Sequence, residues 1–201
     1  VIPHIASNEG MTMDFRANLE TAQTYLEAGL KQKAVESMCK IYNSLRERGI
    51  DSDRETFLRL MPMMAKATMD NGRESEAMRF LDEGLSVDQN DSDLLFLKAM
   101  CLRDQGRHDE MFVTLVSYLN SLSMQDMEVK EYRYVNDLSV KKVFETLVPE
   151  AYGKSLAYKE TGRIVKELAG KTDNPYLIRL AHSLDEIDKA RELEPPYEAE
   201  E

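Results

Sequence analysis

Gly72-Arg73-Glu74-Ser75-Glu76-Ala77 and Gly106-Arg107-His108-Asp109-Glu110-Met111 are two copies of one turn, with their glycines 34 residues apart. Leu81 and Leu115, then Leu85 and Leu119, keep the same offset. A recurrence of this length predicts a stacked array of helix pairs, because one amphipathic pair cannot bury its apolar face alone and needs the next copy against it. Working outward, Gly29 with Ala34 and Met38 supplies an earlier copy at an offset of 43, so a longer helix or loop separates it from the second. Gly162, following Pro149, Ala151, Tyr152, Ser155 and Tyr158, reads as the turn of a fourth, degenerate copy.

Between these turns the apolar residues recur at three- and four-residue intervals. Phe15, Leu19, Ala22, Tyr25 and Leu26 lead up to Gly29, and Ala34, Met38, Ile41, Tyr42 and Leu45 lead up to Gly49. Ser52 or Asp53 caps a third helix that ends at Asn71-Gly72, in which Pro62 is expected either to produce a kink or to weaken the case for a helix. The fourth helix carries Ala77, Met78, Phe80 and Leu81, the fifth Leu94 to Leu102, and the sixth Met111 to Leu119. No stretch alternates with the period of a strand. Residues 124–138 break the register and read as an insertion or linker. Residues 139–193 hold the degenerate fourth pair and a capping helix, with Ser139 as one helix cap and Asn174-Pro175 opening the last helix. Residues 1–13 form an N-terminal extension, and the acidic tail 194–201 has no apolar face and is expected to be disordered.

Composition agrees. The 201 residues are 42% hydrophobic and 31% charged, with 12 Met, 9 Gly, 6 Pro and no Trp, a balance that favours helices over sandwiches or barrels. Thirty-seven acidic against 26 basic side chains give a net charge of -11, which disfavours partners held through phosphates, so nucleic acid is not expected. The acidity is uneven: residues 1–50 are neutral, and the last eight residues alone carry -4. No apolar run reaches the about 18 residues of a membrane span. Cys39 and Cys101 make no disulfide framework and read as small buried hydrophobes in a reducing cytoplasm. Val1-Ile2-Pro3-His4-Ile5-Ala6 has no initiator Met and reads as a processed terminus or a piece of a longer protein.

The pattern of residues 15–123 resembles tetratricopeptide (TPR) repeats. Ala22, Ala65, Ala99 and Ser155 match the small residue of the first helix. Gly29, Gly72, Gly106 and Gly162 match the turn glycine, and Ala34 and Ala77 the small residue of the second helix. Met111 departs from that last position, the opening aromatic is replaced by Asn18, Met61 and Leu95, and no proline closes a copy. The resemblance implies an all-α solenoid of stacked antiparallel helix pairs, a TPR-like superhelix, whose first helices line a concave groove for a peptide or partner helix. The lining it implies is Arg16, Leu19, Gln23 and Leu26, then Arg59, Lys66, Met69 and Asp70, then Asp93, Phe96, Met100 and Arg103. The Lys and Asn set that clamps a terminal carboxylate in chaperone-binding members is missing, since those positions read Leu19, Pro62 and Phe96, then Gln23, Lys66 and Met100. A second resemblance, of Val1 to Leu19, is to the junction before the repeat arrays of bacterial family 2 glycosyltransferases, and it implies a non-catalytic accessory region of a larger enzyme.

Catalytic chemistry needs converging groups, and the sequence offers few candidates. His4, His108 and His182 are far apart, no ligand set has metal spacing, and no Gly-rich phosphate loop or nucleophile elbow is present. The acidic doublets Asp82-Glu83 and Asp109-Glu110 read as solvated helix faces, and Met61, Met64, Met78 and Met111 as core. The expectation is therefore a cytoplasmic interaction scaffold with no catalytic residue, metal or cofactor. The partner and the oligomeric state stay open, self-association through residues 175–193 included.

Overall fold

The computed structural model describes residues 14–124, 134 and 136–193. The N-terminal extension, most of the insertion and the acidic tail lie outside the described residues. The chain divides into two compact units, Val1–Leu60 and Met61–Glu201. Among the described residues every regular element is helical.

The first unit is built on α1 (Phe15–Glu27) and α2 (Lys31–Arg48). Asp14 starts α1 by accepting a hydrogen bond from the Ala17 amide on its side chain, 3.1 Å. At the other end Gly29 takes a φ of 73°, a left-handed conformation that glycine enters without steric penalty. The Gly29 amide donates to Leu26 O at 3.0 Å and the Leu30 amide to Tyr25 O at 2.8 Å, which is the Schellman pattern. Leu30 then serves at once as the N-cap of α2, its carbonyl accepting from Ala34. The pair is antiparallel: Lys33, early in α2, lies over the ring of Tyr25, late in α1, and Arg48 at the far end of α2 lies over Phe15 at the start of α1. Ala22 and Ala34 are fully buried, as are Leu19, Met38, Ile41 and Leu45.

A short 3-10 turn, Ile50–Asp53, leads into α3 (Arg54–Met69), which Asp53 caps through the Thr56 amide at 3.0 Å. The boundary between units falls inside α3. Pro62 does not interrupt this helix, which runs on to Met69.

The second unit repeats the device twice more. Between α3 and α4 (Glu74–Val87), the Gly72 amide donates to Met69 O and Arg73 to Thr68 O. Between α5 (Ser92–Asp104) and α6 (His108–Met124), Gly106 donates to Arg103 O and Arg107 to Leu102 O. Ala65, Ala77, Ala99 and Met111 are all fully buried, so the methionine in the third copy fills the position that alanine fills in the other two. Asp91 caps α5 through the Leu94 amide at 3.0 Å. First helices thus start on an Asp side chain, whereas α2 and α4 emerge from the glycine turn with no side-chain cap.

The fourth copy differs from its expected form. α7 (Asp137–Lys142), a π turn at Val143–Leu147 and α8 (Val148–Lys154) follow one another without a break. The cap is Asn136, which accepts from the Ser139 amide, and Ser139 is the third residue of the helix. Pro149 has no N–H to donate to Glu145, and the wider turn, with Val148 N–H bonded to Val143 O, absorbs that gap. The chain then turns at Ser155–Ala157 into α9 (Tyr158–Ala169). Gly162 is therefore a mid-helix residue of α9, and Ser155 lies in the turn. An added Cβ at Gly162 would overlap the Tyr152 hydroxyl, so this glycine is a close-approach site and not a turn. Asn174 caps α10 (Pro175–Leu193), accepting from the Tyr176 amide at 2.9 Å and the Leu177 amide at 3.3 Å. One apolar cluster joins α5 and α6 to this C-terminal part, with Phe112, Tyr118, Phe144, Leu147, Tyr152, Leu177, Leu180 and Leu184 at its centre.

Two polar ties hold the turn that lacks a glycine. Asp109 of α6 accepts from the Ser155 hydroxyl and from the Ala157 amide, so it does not stand on a merely solvated face. Arg191 of α10 donates to the carbonyls of Tyr152 and Gly153 at the end of α8.

Two outcomes follow for stability. Gly162→Ala should destabilise the fold by about 1–2 kcal/mol through overpacking, despite the gain in helix propensity. Gly170→Ala, where an added Cβ meets only ordinary contacts, should stay within about 0.5 kcal/mol in the same urea titration. The Asp109 carboxyl is held below its ordinary value of 3.8 by the Ser155 hydroxyl first and the Ala157 amide second. A depressed folded-state pKa means that its stabilising effect is present above pH 3.8 and is lost as pH falls through the lower, folded value. Asp109→Asn should therefore lower the melting temperature at pH 7 and leave a shallower loss of stability below about pH 4.

Candidate peptide-binding face of the helix pairs

The residues expected to line a groove fall into two groups, one in each unit. In the first unit Leu19 is fully buried and belongs to the α1–α2 core. Arg16 is exposed and pairs with Glu20 at 3.3 Å, one helical turn along. Gln23 is half-buried and donates to Glu27 at 3.0 Å, and Leu26 is half-buried beside it in sequence. Arg59, in the part of α3 that belongs to this unit, is half-buried with Glu55 at 4.0 Å.

In the second unit, α3 presents Lys66, which is ion-paired with Asp70, and half-buried Met69. On α5, Asp93 and Phe96 are buried, Phe96 with its ring centroid 5.8 Å from that of Tyr118. Met100 is half-buried, and Arg103 donates to Glu150 of α8 at 2.6 Å. The Glu150 carboxyl feels burial most strongly, but its bonds from Arg103 and Lys154 outweigh that and hold it below its ordinary value.

Three residues that the spacing did not single out also belong here. Tyr118 of α6 is fully buried, and its hydroxyl has no hydrogen-bond partner among the described residues. Burial pushes its phenol well above the ordinary value, with the Asp93 carboxylate and then Tyr176 adding to the effect. Tyr134 is half-buried, its carbonyl accepting from the Ser139 hydroxyl at 3.0 Å. Its phenol is pushed up to about 12 by burial first, then by the Asp93 and Asp70 carboxylates. Glu150 is the third. The accessible part of the face therefore combines thioethers, the half-buried Tyr134 and carboxylates already engaged by cations, whereas Tyr118 lies beneath it in the core.

The other candidate groups are placed as follows. Cys101 is buried, donates to Glu74 O at 3.4 Å and has its thiol pushed up mainly by burial, whereas Cys39 is only half-buried; the two are not joined to one another. His108 opens α6, His182 is exposed on α10, and His4 lies outside the described residues. Asp82 pairs with Lys98 at 2.7 Å and Glu110 with Arg107 at 2.5 Å. Among the described residues no three His, Cys, Asp or Glu side chains gather as metal ligands, and no helix is long and apolar enough to cross a membrane. The stretch resembling a glycosyltransferase junction lies, up to residue 13, outside the described residues.

No protein-family model matches the sequence, and no curated protein matches it. Solved structures do. A Podosopora anserina protein named for kinesin light chain, with nearly identical TPR-like repeats, superposes with a TM-score of 0.53 at 17% identity, covering 89% of this chain and 87% of that one. A variant of it gives 0.53 at 18%, covering 89% and 86%. A double mutant of MamA RS-1 gives 0.50 at 13% identity, covering 92% of this chain and 100% of that one. The fold is that of TPR-like repeat proteins, an all-α solenoid of helix pairs.

Proposed function

We propose that the chain is a protein-interaction scaffold that takes a peptide or a partner helix on the first helices of its pairs, and that it binds without performing chemistry. One observation carries this reading. In the second unit, Met69 of α3 and Met100 of α5 keep part of their thioether surface free, while the charged groups beside them are tied down as Lys66 with Asp70 and Arg103 with Glu150. Thioethers repack around varied apolar groups at low cost, and side chains already fixed by ion pairs lose little further entropy on binding. The chain's place is a reducing compartment such as the cytoplasm, a reading supported by Cys39 and Cys101 not being joined in a disulfide.

The test uses quantitative pull-down from a cell extract with the double variant Met69→Ala, Met100→Ala, beside Lys40→Ala on the exposed side of α2 as control. The double variant should lose about 80% or more of the proteins enriched by the unmodified chain, consistent with about 1 kcal/mol of lost contact. Its melting temperature should stay within a few degrees, since neither thioether is fully buried. Unchanged recovery would move the binding face away from α3 and α5.

A further inference from the structure

The outer side of α9 is apolar where an outward helix face is ordinarily polar. Ala157, Thr161, Ile164 and Leu168 follow at steps of four, three and four residues, so they stand in one row along the helix. Ile164 is 51% and Leu168 41% exposed, and Leu156, just ahead of the row, is 94% exposed. The packed side of α9 is a different one, carrying Gly162, Val165 and Ala169. At about 100° per residue the two rows are roughly a third of a turn apart, so a partner seated on the outer row displaces none of the contacts within the protein. On α2, by contrast, the outward residues are Gln32, Glu36, Lys40, Asn43 and Glu47. A contiguous apolar row rimmed by charges marks an interaction surface.

The charges beside the row identify the occupant. On the flank turned away from the core, Glu160, Arg163, Glu167 and Lys171 are all exposed and alternate in sign. Within the chain Arg163 is held by Glu160 at 2.7 Å and Glu167 at 2.5 Å. Exposed pairs of this kind contribute little and exchange partners at small cost. Laid antiparallel against a copy of itself, about a twofold axis at the level of Val165, the flank meets its complement. Glu160 then stands opposite Lys171 of the second copy, Arg163 opposite its Glu167, and Ile164 opposite its Leu168. Each contact occurs twice, as a closed twofold interface requires. A parallel pair would set Arg163 on Arg163 and Glu167 on Glu167, so the charges select the antiparallel arrangement.

We propose that α9 is a self-association face, on which a second copy of this chain seats its own α9 antiparallel, apolar row against apolar row. The site is on a different element from Met69 of α3 and Met100 of α5, and it leaves those residues to another partner. The 12 residues of α9 make a helix about 18 Å long. A contact of that length stays below the about 1,200 Å² of stable interfaces, so the dimer is reversible and forms at roughly tens to hundreds of micromolar.

Sedimentation velocity of the full chain between about 5 and about 500 µM tests this, and the unmodified chain should pass from monomer toward dimer over that range. Ile164→Asp should weaken self-association at least about tenfold. Arg163→Glu and Glu167→Arg should each weaken it about fivefold, because each sets like charges opposite one another. Mixed in equal amounts, these two variants should pair with one another about as well as the unmodified chain pairs with itself, since every facing charge is then opposite. Recovery on mixing cannot come from misfolded chains. Lys40→Ala on α2 should leave dimerisation unchanged. The proposal is overturned by a chain that stays monomeric throughout, which would leave the row to a different protein, by a dimer indifferent to Ile164→Asp, or by charge variants that fail to recover on mixing.

Discussion

The left-handed glycine that ends a first helix is the constraint on which the helix pairs depend. At Gly29, Gly72 and Gly106 the chain reverses within the span of a Schellman motif, and the residue after the glycine is already bonded into the next helix. A side chain at those φ values would be strained by about 1–2 kcal/mol. A turn this short leaves no slack, so the position of the second helix on the first follows from it. That is why Ala22 and Ala34, then Ala65 and Ala77, are all fully buried at fixed distances from their glycines. Met111 at the equivalent place in the third pair shows that the position demands burial more strictly than it demands smallness.

The C-terminal part reaches a comparable result without that glycine. Its turn at Ser155–Ala157 is held from outside, by Asp109 reaching over from α6 and by Arg191 closing the carbonyl end of α8. The cost of replacing a local turn with tertiary bonds is dependence: α9 and α10 must be in place for the turn to be satisfied. Gly162 is part of the same arrangement, since the missing Cβ lets the Tyr152 ring pass close to α9 and set its hydroxyl on Asp188. A turn built in this way brings the rings of Tyr152 and Tyr158 together with the Arg191 guanidinium.

This contrast also explains what could be read from the sequence. Local rules are visible in it: the three turn glycines, the caps at Asp53 and Asn174, and the apolar stripes of α1, α2 and α4 follow from residue type and spacing. Gly162 invited the same rule and obeyed a different one, because only the packing of Tyr152 distinguishes a close-approach glycine from a turn glycine. The face residues were legible in part. α5 runs Leu94-Leu95-Phe96-Leu97, apolar all round, so periodicity could not tell that Phe96 and Asp93 point into the core while Met100 stays partly open. Leu19 fell to the same ambiguity. Tyr134, Glu150 and Asp109 act across long sequence separations, and nothing local in the chain announces them.

The titratable groups carry the last step. Catalytic sites tune acids and bases toward the working pH. Here the displacements run the other way: burial raises the phenols of Tyr118, Tyr134 and Tyr152, while hydrogen bonds lower the carboxyls of Asp109 and, against its burial, Glu150. Each of these groups keeps one charge state across the neutral range, so the surfaces they build present an unchanging pattern of donors and acceptors. A pattern fixed in that way, carried on helices whose relative position within each pair is set by a turn of three or four residues, is what recognition of another chain requires: donors, acceptors and thioethers held in place before the partner arrives.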